Sequence, residues 1–390
     1  MFIKLLLRFE GLSLKLLRKM YEISFYYLND YALANNVGKK LFFSKLISST
    51  KDLSFAIEYI LNAAVYTGDK LFINLLIQSK LFVQSTPMIQ SFLVAISAFM
   101  NREHDWVDKF ELAGSYAKQN FKKSGSHPNY SIELFNFINF ATIQTNFENL
   151  ISTYDFKIGK NINSDHVVVV VSCDIKYFNI YGESFIRNFF KINDLVLNII
   201  IVHSDELIPL QLQKNSQSLL LLYPKLQIYF EFSKINIAVS ASSFRFKYAL
   251  DQIQNFKSNV IILDIDFNPA VDLIQYTTPM FPKDISVAIN MNCFFPWGVY
   301  GVGVSFFKCT SNTELFLVLY NYYIHELLKD SAKWTVDQTT FTIIHHFFKV
   351  NNLEISLNDI SELSFLLRSK IIHKFTVGKV NAKVSNINSH

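Results

Sequence analysis

His166-Val167-Val168-Val169-Val170-Val171 sets five valines in a row behind a histidine. β-Branched side chains are stiff about χ1 and fit extended backbone, so the run predicts a strand. A strand with one wet face alternates apolar and polar residues, and this run leaves no polar face. It therefore predicts a strand buried on both sides, as in a parallel sheet covered by helices. Working outward, further strand-length apolar runs follow at Leu195 to Val202, Leu226 to Phe232, Val260 to Leu263, Ile285 to Asn290 and Val302 to Phe307. Helix-length segments at 176–192, 205–216, 239–256, 312–329 and 337–348 separate them. Strands alternating with helices predict an α/β layer structure over 161–390, Rossmann-like with a mainly parallel sheet. Ligands of such sheets sit beyond the carboxyl ends of the strands, so the residues that end each apolar run are the candidate contacts.

Residues 1–160 read differently. They hold two prolines, Pro87 and Pro128, and a series of apolar-periodic segments at 12–33, 40–48, 52–66, 70–82, 87–101, 104–122 and 131–150. Asn35-Asn36-Val37-Gly38 and Thr67-Gly68-Asp69 carry residues that break helices. Thr86-Pro87 sets a capping hydroxyl before a proline suited to the first helical turn. Ala113-Gly114-Ser115-Tyr116-Ala117 has small residues spaced for close packing. An all-α domain over 1–160 is expected, with no fixed repeat period.

The chain has 390 residues, 18% charged and 50% hydrophobic, which excludes a disordered protein and suggests two domains. Its 37 basic and 32 acidic residues leave a net charge of +5, too mild for the concentrated basic stripe of a nucleic-acid binder. Cys173, Cys293 and Cys309 lie far apart, which supports neither a disulfide framework nor a zinc knuckle and fits a reducing, cytoplasmic compartment. Mean hydropathy is positive, yet no stretch reaches the ~18–20 apolar residues of a membrane span. Residues 1–24 carry five basic and two acidic side chains among leucines. This pattern reads first as the opening helix of a helical domain, and it also suits peripheral contact with the inner face of an anionic membrane. P-loop, dinucleotide-binding, zincin and hydrolase signatures are absent.

Asn259-Val260-Ile261-Ile262-Leu263-Asp264-Ile265-Asp266-Phe267 is the most informative segment for function. Carboxylates at i and i+2 of extended backbone point to the same side. Such a pair at a strand end is suited to a hard divalent cation, Mn²⁺ or Mg²⁺, and through it to a diphosphate. The same tripeptide also serves as a turn at a strand terminus.

In order along the chain, residues 166 to about 380 resemble the nucleotide-sugar-dependent glycosyltransferases of GT-A fold, particularly the family-8-like group. The resemblance implies a GT-A catalytic domain, preceded here by the helical one. It also implies a hexosyltransferase-like enzyme of polysaccharide or glycoconjugate biosynthesis. By that resemblance Ser172 and Asp174, with Tyr177-Phe178 behind them, meet the uridine of a UDP-sugar donor. Arg245 stands near the sugar or diphosphate, while Asp264 and Asp266 of the D-x-D motif hold the metal. Tyr300-Gly301-Val302-Gly303-Val304 is similar to the family's G-V strand, with Gly303 beside the donor and Gly301 where the family has asparagine. Asp337-Gln338 resembles the D-Q pair that faces the reacting sugar, although an acidic residue in a first helical turn is also a structural cap. His373 is similar to the late histidine that completes the metal shell, and Lys379 to the lysine that meets the diphosphate. Their spacing differs from the family's, and its following Pro-Trp is missing. The resemblance implies transfer to a glycan or glycoconjugate hydroxyl with retention of configuration. The departures leave open a second reading, a non-catalytic degenerate transferase acting as a binding scaffold.

Overall fold

The computed structural model describes residues 12–24, 28, 30–43, 64, 67, 69–124, 133–137, 140–157, 164–204, 208–234, 237–280, 282–290, 293, 295–330 and 335–364. The chain forms two compact units, one of residues 1–145 with 291–299 and the other of 146–290 with 300–390.

The described elements of the first unit are helical: α1 (Leu14–Glu22), α2 (Tyr31–Phe43), α3 (Lys70–Ile77), α4 (Lys80–Gln84), α5 (Pro87–Met100), α6 (Trp106–Ser124) and the start of α7 (Phe140–Thr153). Local chemistry explains their starts. The Ser13, Asp69, Ser79 and Thr86 side chains accept from the third amide onward, and Pro87 opens α5 as its spacing predicts. The expected break at Asn35-Asn36-Val37-Gly38 is not there, because α2 runs straight through it. Val37 is fully buried, and Asn35 Nδ2 donates to Asp69 Oδ2 at 2.8 Å, so packing overrides the weak helix propensity of the segment. Gly114 does what its small-residue setting predicts, since a Cβ there would run into the Leu134 carbonyl of the 133–136 turn. In α1, Leu17, Met20 and Tyr21 are buried, which turns its apolar side inward; residues 1–11 of the expected membrane-contacting segment lie outside the described residues. Among the described residues no helix is long and apolar enough to cross a membrane.

An aromatic cluster fills this unit. Phe110 stacks on Phe137 with centroids 4.9 Å apart, and Trp106 and Phe99 approach edge-on. Phe295 and Trp297, from the 291–299 segment, complete it: Phe295 stacks on Phe92 and Trp297 meets Phe110 at 5.9 Å.

In the second unit seven strands form one sheet in the order β3-β2-β1-β4-β6-β5-β7. They are β1 (Val167–Asp174), β2 (Val196–His203), β3 (Leu226–Phe232), β4 (Asn259–Leu263), β5 (Ile285–Ile289), β6 (Tyr300–Phe307) and β7 (Leu357–Asp359). The β1–β2, β2–β3, β1–β4 and β5–β7 pairs are parallel, while β6 runs antiparallel to both β4 and β5. The sheet is thus mixed, and its parallel half has the 3-2-1-4 order of a Rossmann-like unit. Helices α8 (Glu183–Phe190), α9 (Leu210–Leu222) and α10 (Ile237–Phe256) connect successive strands of that half, and α11 (Ser311–Asp330) and α12 (Val336–Val350) follow β6.

The valine run is buried on both faces. Val167, Val169 and Val171 share a cluster with Phe185, Ile186, Phe189 and Leu212 of α8 and α9, while α10 packs over the other face. Burying each such side chain contributes on the order of 1.5–2 kcal/mol. The expected boundary near 160 differs from the observed one between 145 and 146, because the second half of α7 packs in this unit. Phe147 lies 5.9 Å from Tyr322 and 4.9 Å from Phe347, and the fully buried Glu314 accepts from Tyr154 and from the Lys157 amide.

Between β6 and α12 the Tyr300 hydroxyl and His345 Nδ1 share a hydrogen bond of 2.5 Å. Burial lowers the His345 pKa from 6.5 to about 3, so the imidazole is neutral. The unfolded chain takes up this proton below ~6.5 and the folded chain does not until about 3. Stability from this site is therefore full above ~6.5 and falls as pH drops through that window, by at most ~2 kcal/mol at pH 5. Thermal melts at pH 7.5 and 5 should show that loss in the wild type and a smaller one in His345→Gln; equal losses would remove His345 as the cause.

Candidate active site

The parallel half of the sheet reverses its strand order between β1 and β4, and the crevice beyond their carboxyl ends is where such sheets bind ligands. A pocket of about 190 Å³ lies there. It brings together Ser172 and Asp174 from β1, Arg245 from α10, Asp264 and Asp266 after β4, Gly303 from β6, and Asp337 and Gln338 from α12. His373 and Lys379 lie outside the described residues.

At the end of β1, Asp174 Oδ1 accepts from the Tyr177 amide at 2.7 Å and so caps the following turn. Tyr177 lines the pocket, whereas Phe178 lies in the hydrophobic core. Small side chains, Ala238, Ala241 and Ser242, form the α10 wall and leave room above the strand ends.

Arg245 is the electrostatic centre. It is 3% exposed, and its two terminal nitrogens donate to Asp264 Oδ1 and, at 2.6 Å, to Asp337 Oδ2. The two carboxylates hold the guanidinium charged in spite of its burial. Its Nε has no partner among the described residues. Burial raises the Asp337 carboxyl above the usual carboxylate range, and Arg245 pulls it back. Asp337 is fixed from three further directions: Oδ1 accepts from the Gln338 amide, the buried Tyr320 hydroxyl donates to its carbonyl at 3.0 Å, and α12 carries its backbone. Gly303 serves the same arrangement. Its carbonyl accepts from the Asp264 amide at 2.9 Å, and a Cβ at this position would collide with the Asp264 carboxylate.

Thr335, just before α12, also lines the pocket and was not singled out by its sequence position. Its φ of 71° and ψ of 10° put a β-branched residue in the left-handed region, and its Oγ1 is buried without a partner among the described residues. A strained backbone of this kind costs about 1–3 kcal/mol and persists only where its surroundings over-determine it. No sequence signal marks such a residue, because threonine before a helix reads as an ordinary cap.

Four acidic residues, Asp174, Asp264, Asp266 and Asp337, thus line a single pocket with Arg245. Asp264 and Asp266 offer hard oxygen ligands from one turn, and no third His, Cys, Asp or Glu joins them among the described residues. Two carboxylates fit Mg²⁺ or Mn²⁺, which fill the rest of their shell with water and substrate phosphate.

No protein-family model and no curated protein matches the chain. Over 52% of its length it is similar to 40% of the apo structure of the bifunctional glycosyltransferase WbbM, at 12% identity and a TM-score of 0.34. Over 50% of its length it is similar to 46% of the apo form of the glycosyltransferase GlyE from Streptococcus pneumoniae TIGR4, at 17% identity and a TM-score of 0.32. The chain therefore spans less than half the length of each of these two solved chains.

Proposed function

We propose that the second unit is a metal-dependent glycosyltransferase that moves a sugar from a UDP-linked donor to a hydroxyl of a glycan or glycoconjugate. The observation that carries this reading is the convergence of Asp264, Asp266, Arg245, Asp337 and Gln338 in one pocket at the strand-order switch. The excess of carboxylates supports the metal. A diphosphate entering among four carboxylates and one engaged guanidinium meets net repulsion unless a cation accompanies it. Asp264 and Asp266 would hold Mn²⁺ or Mg²⁺, with His373 as a further ligand and Lys379 on the diphosphate. When bound, the cation supplies positive charge that stabilises the departing diphosphate.

The chain's own residues bind and orient. Ser172, Asp174 and Tyr177 would meet the nucleotide at the end of β1. Asp337, held by Arg245 and α12, and the Gln338 amide would lie against the sugar at the reacting carbon, and the resemblance to family 8 points to retention. The helical unit is assigned to acceptor or partner contacts. A second reading, a scaffold without turnover, draws on the engagement of Asp264 by Arg245.

Calorimetry of UDP binding with and without Mn²⁺ tests the donor site on the wild type and on Asp264→Asn, Asp266→Asn. Mn²⁺-dependent binding that the double variant loses is expected. A folded wild type that binds no nucleotide would favour the scaffold.

A further inference from the structure

Thr335 combines three properties that its place in the fold alone does not require. It sits at the start of α12, where a threonine ordinarily spends its hydroxyl on a free helix amide, yet its side chain makes no capping hydrogen bond. Its backbone is left-handed, which disfavours a β-branched residue and suits glycine or asparagine. Its Oγ1 is buried without a partner among the described residues, in a residue that lines the pocket. The conformation is imposed from below: the Thr335 carbonyl accepts from the Thr339 amide and from Thr339 Oγ1, both at 3.0 Å, and Val336 is fully buried. The hydroxyl itself gains nothing from that imposition.

A second unpartnered hydroxyl lines the same pocket. Ser172 is 8% exposed, and its Oγ too is buried without a hydrogen bond among the described residues. Buried polar groups are nearly always paired, so two orphaned hydroxyls in one pocket imply a ligand that pairs them. The chemistry around Thr335 restricts that ligand. Asp337 and Asp264 accept hydrogen bonds, the Gln338 amide can donate and accept, and hydroxyls do both. A phosphate offers acceptors alone to this carboxylate-rich wall, whereas the hydroxyls of a sugar ring offer donors and acceptors together.

We propose that Thr335 is a specificity-determining residue whose hydroxyl binds a ring hydroxyl of the transferred sugar. The proposal rests on the donor reading above and adds to it the part of the donor that Thr335 senses. A backbone strain kept for this purpose separates stability from recognition: replacing Thr335 by glycine removes strain and hydroxyl at once.

The test compares full-length wild type, Thr335→Gly and Thr335→Ser with Mn²⁺ present, by calorimetry against UDP and against UDP-glucose, UDP-galactose and UDP-N-acetylglucosamine. Thr335→Gly is expected to melt at or above the wild-type temperature and to bind UDP as the wild type does. It is expected to bind the preferred UDP-sugar about 10-fold more weakly, the effect of leaving a sugar hydroxyl unpaired in a buried site. Thr335→Ser, which keeps the hydroxyl, is expected to stay within about 3-fold of the wild type. Should Thr335→Gly not fold, Thr335→Ala gives the same comparison. Unchanged UDP-sugar binding in the hydroxyl-free variant, or an equal loss in Thr335→Ser, overturns the assignment while leaving the donor site standing. A wild type that binds neither UDP nor any UDP-sugar overturns the donor reading and this one with it.

Discussion

Arg245→Leu is expected to destabilise the second unit by about 3–5 kcal/mol, the usual cost of removing one partner from a buried ion pair. Most of that cost falls on Asp337, which is 7% exposed and would lose its buried counter-ion. The Asp264 side chain is 35% exposed, so water compensates part of its loss. Against a typical domain stability of about 5–15 kcal/mol, the change should be plain in urea melts. Adding Asp337→Leu should recover much of the loss, because the orphaned carboxylate goes with it. An Arg245→Leu protein as stable as the wild type would mean that the pair is not maintained in solution.

Asp266→Asn is expected to lower sugar transfer by roughly 10³-fold at saturating donor while leaving the melting temperature within a few degrees, since electrostatic stabilisation of a leaving group is worth several kcal/mol. The asparagine keeps the size of the side chain and removes its charge. Asp264 and Asp337 hold Arg245, so substituting Asp266 instead tests metal holding while leaving both of those buried ion pairs in place. Transfer measured with a UDP-sugar and an acceptor extract decides it, and full turnover in the variant would remove the D-x-D site from the reaction. The excess Mn²⁺ needed for half-maximal rate should also rise, which separates a lost ligand from a general loss of activity.

The sheet was legible where its chemistry is local and repeated. Val167 to Val171 can only be a strand with two dry faces, β2 announces itself by the same β-branched density, and β3 by its aromatic residues Tyr229, Phe230 and Phe232. β7 is different: three residues, Leu357–Asp359, carry no periodicity, and the strand exists because β5 offers it an edge. Asn35 to Gly38 reads as a break for the converse reason, since the burial of Val37 and the Asn35–Asp69 hydrogen bond are tertiary facts. The pocket follows the same division. Asp264 and Asp266 stand out because four apolar residues deliver them to a strand end. Arg245 gives no sign in sequence that it will be buried between two carboxylates 19 and 92 positions away. Thr335 gives less still, because backbone strain leaves no mark on residue type when the strained residue is not glycine.

The placement of Phe295 and Trp297 in the aromatic cluster of the helical unit also bears on how the chain is made. Phe92, Phe110 and Phe137 leave the ribosome long before their partners do. At about 5–20 residues per second, the stretch from 145 to 297 takes roughly 8–30 s to synthesise. Through that interval β1 to β5 emerge while the earlier cluster still lacks two of its rings. The order of folding is therefore not the order of the chain: the helical unit, first to be made, closes its core only after most of the sheet has appeared.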